Sequence, residues 1–425
     1  MARFIIHGGK RLSGRHRVLG NKNAVLPMLA ASVLTDEPVV LTNVPLIEDV
    51  LTMLRILEDL GVQVDQHGHT VSLCAAGLRR TRLNPELCRQ VRSSLLFAGP
   101  LAARHGRASL YPPGGDVIGR RRLDTHFEGL QQLGITIEGR DFFRFTRRNL
   151  RGARVLLDEA SVTGTENLVM AAVLATGRTT IFNAACEPHV QDLCRMLNAM
   201  GARISGVGTN FLKIEGVERL HGVRRRVTPD HVEAASFLAA AAITGGELTL
   251  ESAPVDQLDV ISRPFHKLGL SWTTENGHLL HLPGNQTLRV RNDFGSAVPK
   301  IEDGPWPSFP SDLMSVAIVL ATRARGTVLF FEKMFESRMY FVDRLIEMGA
   351  RIVQCDPHRV VVDGPSTLHG SHMSSPDIRA GMALLIAALC AKGESVIENA
   401  QSIDRGYEKI ELKLRRLGAD IVRVG

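Results

Sequence analysis

Leu60-Gly61-Val62-Gln63-Val64 is the stretch on which the reading of this chain turns. An apolar residue, a glycine and an alternating run mark a helix that ends on a left-handed residue and passes the chain to a strand. The pattern returns as Leu133-Gly134-Ile135-Thr136-Ile137, Met200-Gly201-Ala202-Arg203-Ile204 and Leu268-Gly269-Leu270-Ser271-Trp272. Two more copies follow, Met348-Gly349-Ala350-Arg351-Ile352 and Leu417-Gly418-Ala419-Asp420-Ile421. The six glycines lie 73, 67, 68, 80 and 69 residues apart. A spacing that even makes the chain six copies of one unit.

Upstream of each glycine the periodicity predicts an amphipathic helix. Val50, Met53, Leu54, Leu57 and Leu60 share one face of the first, and Tyr407, Ile410, Leu414 and Leu417 one face of the last. A second element repeats with the same count: an Ala-rich apolar helix, a turn and a short strand, at residues 25–41, 93–110, 167–182, 234–250, 313–330 and 381–397. Helices apolar nearly all round belong in the interior, covered by the amphipathic ones. Each unit then reads strand, buried helix, strand, amphipathic helix, strand. Six copies of about this length predict an α/β protein of two closed groups of three units with a cleft between them, rather than an open solenoid. The second half begins near 227–230.

Composition sets limits. A chain of 425 residues is too long for one ordinary core, and 44% hydrophobic with 22% charged residues suits a globular protein. The apolar stretch Ala380 to Ala391 falls short of the roughly 20 residues a membrane span needs. The opening residues, broken by His7, two glycines and Lys10, do not read as a signal peptide, so a cytoplasmic enzyme is expected. Cys74, Cys88, Cys186, Cys194, Cys355 and Cys390 form no CxxC pair and read as reduced thiols. The net charge of +7 raises nucleic-acid binding, but the arginines are spread along the chain and only two Trp and three Tyr could stack on bases. Small phosphorylated substrates account for them better.

Charges gather where helices begin. Lys22-Asn23, Arg92, Thr163 to Glu166, Asp230 to Glu233, Asp312 and Arg379 open the six buried helices, and Arg121, Arg338 and Arg405 stand at or before amphipathic ones. Arginine there adds like charge to the positive end of the helix dipole. Several together make sense if an anion receives both backbone N–H groups and guanidinium forks. The plainer alternative pairs them with adjacent carboxylates, Asp377 with Arg379 and Asp404 with Arg405.

Two loops complete the pattern. Residues 112–120, Pro-Pro-Gly-Gly-Asp-Val-Ile-Gly-Arg, have the composition of a lid, and Asp116 within them is a candidate general acid or a turn former. Residues 306–312, Trp-Pro-Ser-Phe-Pro-Ser-Asp, hold Asp312 between prolines and a helix, where Ser311 or Asp312 would also serve as an N-cap.

These residues resemble the enolpyruvyl transferases. The resemblance runs from Phe4 to Val424 and rests on blocks in order: Gly20-Asn21-Lys22-Asn23-Ala24, Arg92-Ser93-Ser94, Pro113-Gly114-Gly115, Ser161-Val162 with Thr165-Glu166-Asn167, Phe309-Pro310-Ser311-Asp312, Phe335-Glu336-Ser337-Arg338, and Ile403-Asp404-Arg405-Gly406-Tyr407-Glu408. The shikimate-phosphate branch opens with Gly-Ser-Lys-Ser; Gly-Asn-Lys-Asn favours the nucleotide-sugar branch of peptidoglycan synthesis.

The resemblance implies two inside-out α/β domains of three pseudo-symmetric units each, with the active site in the interdomain cleft. The first would span 21–229 and carry a lid at 112–122; the second would join 1–20 to 230–425. It implies transfer of enolpyruvyl from phosphoenolpyruvate to the 3-hydroxyl of UDP-N-acetylglucosamine with release of phosphate, the first committed step of peptidoglycan synthesis. Asp116, Asp312, Lys22 and Arg405 would be catalytic. Lys22, Arg121 and Arg405 would clamp the phosphate of phosphoenolpyruvate, Arg338 and Arg379 would lie near its carboxylate, and Asn23 would also touch it. Asn23, Arg92, Arg121, Arg122, Leu123, Asp124, Thr125, Ser161, Val162, Asp312 and Met334 would hold the UDP-sugar. No metal or organic cofactor, nucleic acid, membrane or protein partner is implied.

Three departures stand out. Most relatives have Cys where this chain has Asp116, so the nucleophile that fosfomycin alkylates is missing and resistance is expected. Arg121-Arg122-Leu123-Asp124 replaces Arg-Pro-Val-Asp, and Ser161-Val162-Thr163-Gly164-Thr165 replaces Ser-Val-Gly-Ala-Thr. Those two changes leave open a diverged transferase acting on another nucleotide, such as UMP, in specialised metabolism. A non-catalytic binding paralogue is the remaining reading, opposed by the joint presence of Lys22, Asp116, Asp312, Arg338, Arg379 and Arg405.

Overall fold

The six repeat glycines all adopt left-handed backbone in the computed structural model, with φ of 95, 89, 100, 90, 100 and 102° at Gly61, Gly134, Gly201, Gly269, Gly349 and Gly418. Gly61 shows why: it closes the helix Glu48–Leu60 by sending its N–H back to Glu58 O and Leu57 O, a cap that a side chain would strain. The structure describes residues 2–116, 118–119 and 121–425. Among them the strands form six sheets, five of four strands and one of three. The three-stranded sheet holds Arg107–Leu110, Phe143–Arg147 and Ile135–Glu138, and a parallel bridge between Arg82 and Ser109 stands beside it in place of a fourth strand.

The described residues divide into two compact units. The first comprises Gly20–Gly115 and Arg121–Thr228; the second comprises the residues before Gly20, Asp116 with Ile118 and Gly119, and Pro229–Gly425. Each has its own hydrophobic core. In the second unit the helices His231–Ile243, Met314–Arg323 and Ile378–Cys390 pack on one another. They are buried along nearly their whole length. The first unit packs Lys22–Ala31, the 3-10 turn Arg92–Phe97 with the helix Ala98–His105, and Val162–Ala172 in the same way. Helices form each interior and the amphipathic helices and sheets surround them, the inside-out arrangement. Residue patterning explains it, since these helices have no polar face to turn outward.

Two strands are exchanged where the chain passes between units. Elsewhere the strand before a buried helix pairs in parallel with the strand after it, as Lys300–Glu302 does with Gly326–Phe331. Gly14–Arg17 instead pairs with Leu248–Glu251, and Val223–Arg226 pairs with Val39–Thr42. The N-terminal strands Arg3–His7 and Gly14–Arg17 thus lie in the second unit.

The turning points, Leu19/Gly20 and Thr228/Pro229, each stand one residue before those expected. Part of the expected 112–122 lid (Asp116, Ile118 and Gly119) groups with the second unit, because Asp116 pairs with Arg405 and the Ile118 carbonyl accepts from Ser337 N. Val117 and Arg120 of that segment lie outside the described residues. The last amphipathic helix is also not continuous: Gln401–Asp404 and Ile410–Arg416 are separated by Lys409 at φ 45°, and Tyr407 stands in the gap, buried all the same. Among the described residues no helix is long and apolar enough to cross a membrane.

Candidate active site

Asp377 caps the helix Ile378–Cys390. Its Oδ1 accepts from Arg379 N at 2.8 Å and Ala380 N at 2.9 Å, so its carboxylate serves the backbone and not the Arg379 guanidinium. That guanidinium reaches Asp312 instead, Nη2 to Oδ2 at 2.8 Å, and donates from Nη1 to the Tyr407 hydroxyl at 3.4 Å. Arg338 approaches the other oxygen of Asp312, Nη2 to Oδ1 at 3.2 Å. One partly exposed carboxylate is therefore held by two buried guanidinium groups. Burial works against the charge of Arg379, but Asp312 and Tyr407 outweigh it and hold the group above the usual guanidinium range. Arg338 keeps Nε and Nη1 buried with no hydrogen-bond partner among the described residues. Buried donors without acceptors on a cation favour an incoming anion.

The alternative pairing of Asp404 with Arg405 does not form either. Asp404 is taken by Arg423, Nη1 to Oδ1 at 2.8 Å, and Arg405 donates to Asp116. Burial pushes the Asp377 carboxyl up, while the Arg338 charge lowers it and Asp116 raises it. Asp377 thus feels both pairs. The second unit brings Asp116, Asp312, Arg338, Arg379 and Arg405 together around one helix start.

Neither Ser311 nor Asp312 caps the following helix by its side chain. The Ser311 hydroxyl donates to Glu332 at 2.8 Å and Asp312 faces its arginines. Other helix starts are plainly structural. Asp230 accepts from Val232 N at 2.7 Å and Glu233 N at 3.3 Å. Burial pushes the Glu233 carboxyl up, but Lys413 and the His16 ring pull it down to about 2.

In the first unit Asn21 caps the helix Lys22–Ala31, its side chain accepting from Ala24 N at 3.0 Å. Lys22, the first residue of that helix, extends to Asp49, Nζ to Oδ2 at 2.7 Å, with both side chains buried. Sequence reasoning missed Asp49. The signal was present, because Asp49 lies four residues before Met53 on the apolar stripe of Glu48–Leu60, where a carboxylate needs a buried partner.

The residues expected to hold a nucleotide sugar form a second group in that unit. Arg92 Nη2 donates to the carbonyls of Arg121 at 2.9 Å and Arg122 at 3.4 Å. Burial first and the Arg121 charge second lower Arg92 to about 10, partly opposed by Glu159. Two cations side by side again favour an anion. Arg122 is exposed and pairs with Asp124, Nε to Oδ2 at 2.8 Å. Thr125 donates to Asp158 at 2.6 Å. Ser161 caps the helix opened by Val162, accepting from Gly164 N at 3.2 Å. His126 ties these stretches together: Asn167 Nδ2 meets its Nδ1 at 3.1 Å, which leaves Nε2–H to donate to Thr163 Oγ1 at 3.0 Å. Burial and then the Arg92 charge lower the His126 ring to about 3, so it stays neutral. Asn23 is half-buried in this unit, whereas Asp312 and an exposed Met334 belong to the other.

Residues 6–414 match the family model of EPSP synthase (3-phosphoshikimate 1-carboxyvinyltransferase). The chain belongs to the EPSP synthase family. It is 51% identical over 422 residues to the UDP-N-acetylglucosamine 1-carboxyvinyltransferase of Treponema denticola, covering 99% of each chain. With the protein of the same name from Bradyrhizobium diazoefficiens it shares 52% over 422 residues, covering 99% of this chain and 98% of the other. Its fold is that of the enolpyruvyl transferase NikO from Streptomyces tendae, with a TM-score of 0.88 at 24% identity, covering 100% and 99% of the two chains.

Proposed function

We propose that this protein transfers the enolpyruvyl group of phosphoenolpyruvate to the 3-hydroxyl of UDP-N-acetylglucosamine and releases phosphate, acting in the cytoplasm at the first committed step of peptidoglycan synthesis. The observation that carries the reading is the grip of Arg338 and Arg379 on Asp312, with donors of Arg338 left over. Relatives named for this reaction, matched at about half identity over the whole chain, support the acceptor.

The chemistry needs an acid at C3 of phosphoenolpyruvate, a base at the hydroxyl, and cations for carboxylate and phosphate. In this reading Asp116 gives a proton to C3 while the acceptor oxygen bonds to the cationic C2 and its proton passes to Asp312. The tetrahedral ketal then breaks its C2–O bond to phosphate as C3 returns a proton. Arg338 and Arg379 take the substrate carboxylate. Lys22, Arg121 and Arg405 take the phosphate, with Asn23 beside them on phosphoenolpyruvate. Arg92, Arg121 to Thr125, Ser161 and Val162 with Asn23 and Met334 hold the nucleotide sugar. A different nucleotide acceptor is not favoured, because the relatives matched over the whole chain are named for UDP-N-acetylglucosamine.

Incubation with phosphoenolpyruvate and UDP-N-acetylglucosamine tests this. Phosphate should appear in step with vinyl proton signals of an enolpyruvyl ether on the sugar. Phosphate without the ether, or neither, would reject the reading.

A further inference from the structure

Two carboxyl groups behind Asp312 belong to no role described so far. Lys300–Glu302 and Gly326–Phe331 run parallel with Glu302 opposite Phe331, so Asp303 and Glu332 leave the sheet side by side, both without exposed surface. Asp303 Oδ1 accepts from Lys333 N at 2.5 Å. Its Oδ2 is buried with no hydrogen-bond partner among the described residues, and the register of the two strands makes Glu332 its neighbour. Two carboxylates cannot bond to each other. One proton on Glu332 would supply the missing donor.

Glu332 in turn holds both segments that carry working residues. Its Oε1 and Oε2 accept from Ser311 Oγ at 2.8 and 3.0 Å, and Oε1 also accepts from Phe335 N at 3.2 Å. Ser311 adjoins Asp312, and the Phe335 carbonyl accepts from Arg338 N at 3.4 Å. Arg338 and Asp312 then meet at 3.2 Å. The contacts close a ring: Glu332, Ser311, Asp312, Arg338, Phe335 and back to Glu332.

We propose that Asp303 and Glu332 share one proton and form a buried clamp that positions Asp312 against Arg338. Both are positioning residues, and the proposal rests on reading Asp312 and Arg338 as working residues. The groups facing the pair are the Ser311 hydroxyl, the Arg338 guanidinium and, from the strand beyond, His358, whose Nδ1 lies 2.7 Å from the Glu332 carbonyl. Burial first, and Asp303 second, hold the Glu332 carboxyl well above the usual carboxylate range, against the pull of Arg338 and Ser311. An acid raised on folding contributes stability that is complete below its ordinary value of 4.5 and lost as pH rises through the folded value.

Glu332→Ala, Glu332→Gln and Asp303→Asn test the clamp. Glu332→Ala should lower kcat about ten- to a hundredfold with the KM for the nucleotide sugar little changed, the cost of misplaced groups. Glu332→Gln, which keeps a neutral donor toward Asp303, should recover most of that loss and flatten the alkaline fall in thermal stability. Asp303→Asn should flatten it as well. The infrared carbonyl band of a protonated carboxyl should be present in the wild type and absent in Glu332→Gln. A Glu332→Gln protein with the wild-type pH slope, or a Glu332→Ala protein with unchanged kcat, would overturn the clamp. Stability and infrared readings do not depend on turnover, so they judge the clamp even if the wild type fails to use UDP-N-acetylglucosamine, a failure that would count against the function alone.

Discussion

The arginines around Asp312 and those around Ser161 answer the same electrostatic problem differently. In the second unit, Arg338, Arg379 and Arg405 each meet a carboxylate from a distant segment, and Arg338 and Arg379 are almost wholly buried. In the first unit, Arg92 leans on backbone carbonyls beside another cation, and Arg122 lies exposed against its neighbour Asp124. Charges fixed on one another resist change, because removing either partner strands the other in a dry interior. Charges resting on main chain and solvent tolerate it. The two departures from the family pattern beyond Asp116, at Arg122 and Thr163, fall in the tolerant region. The contrast separates a mutually fixed set of charges from an adjustable one.

The largest effect should come from the rigid region. Asp312→Asn should cut kcat by about 10² to 10⁴, the range of general acid–base assistance, with little change in the KM for the sugar, read from steady-state kinetics. A similar loss in KM alone would make Asp312 a binding residue and blur the contrast. Asp116→Asn should cost a comparable factor. Asp116→Cys should keep turnover and become sensitive to fosfomycin, with a covalent adduct by mass spectrometry. The wild type should show no adduct, and an adduct on it would remove Asp116 from the role given.

Smaller changes should follow in the tolerant region. Thr163→Gly and Arg122→Pro, which restore the usual family residues, should move the KM for UDP-N-acetylglucosamine by no more than about tenfold, the worth of one hydrogen bond, and leave kcat nearly constant. A collapse of kcat in either would show the two regions to be equally constrained. A separate effect is on acid stability. His126 is lowered to about 3 on folding, so its contribution is present above its ordinary 6.5 and lost as pH falls toward 3. Thermal melts of the wild type should weaken over that window, and His126→Gln should weaken less.

The same contrast explains what the sequence could reveal. The six repeats were legible because a helix-ending glycine and a change of period are local signals, and all six glycines have the backbone they imply. Helix-start arginines were legible as candidates for the same reason. Their partners were not. Arg379 finds Asp312 67 positions away, and Arg405 finds Asp116 289 away, while the adjacent carboxylates that sequence offered are used for a cap and by Arg423. Packing decides such pairings, not spacing. The placing of Gly14–Arg17 with the second unit and Val223–Arg226 with the first came from the family resemblance and not from the pattern, since either strand could pair within the unit of its own helix. The break before Ile410 was masked because Tyr407 stays buried after leaving the helix.

One assay bears on the whole account: phosphate release from phosphoenolpyruvate with UDP-N-acetylglucosamine, UMP and shikimate 3-phosphate offered separately at equal concentration, each with and without fosfomycin. Release should occur with UDP-N-acetylglucosamine, far exceed that with the other two, and be unchanged by the inhibitor. Preference for either rival acceptor, or no release with UDP-N-acetylglucosamine, would contradict it.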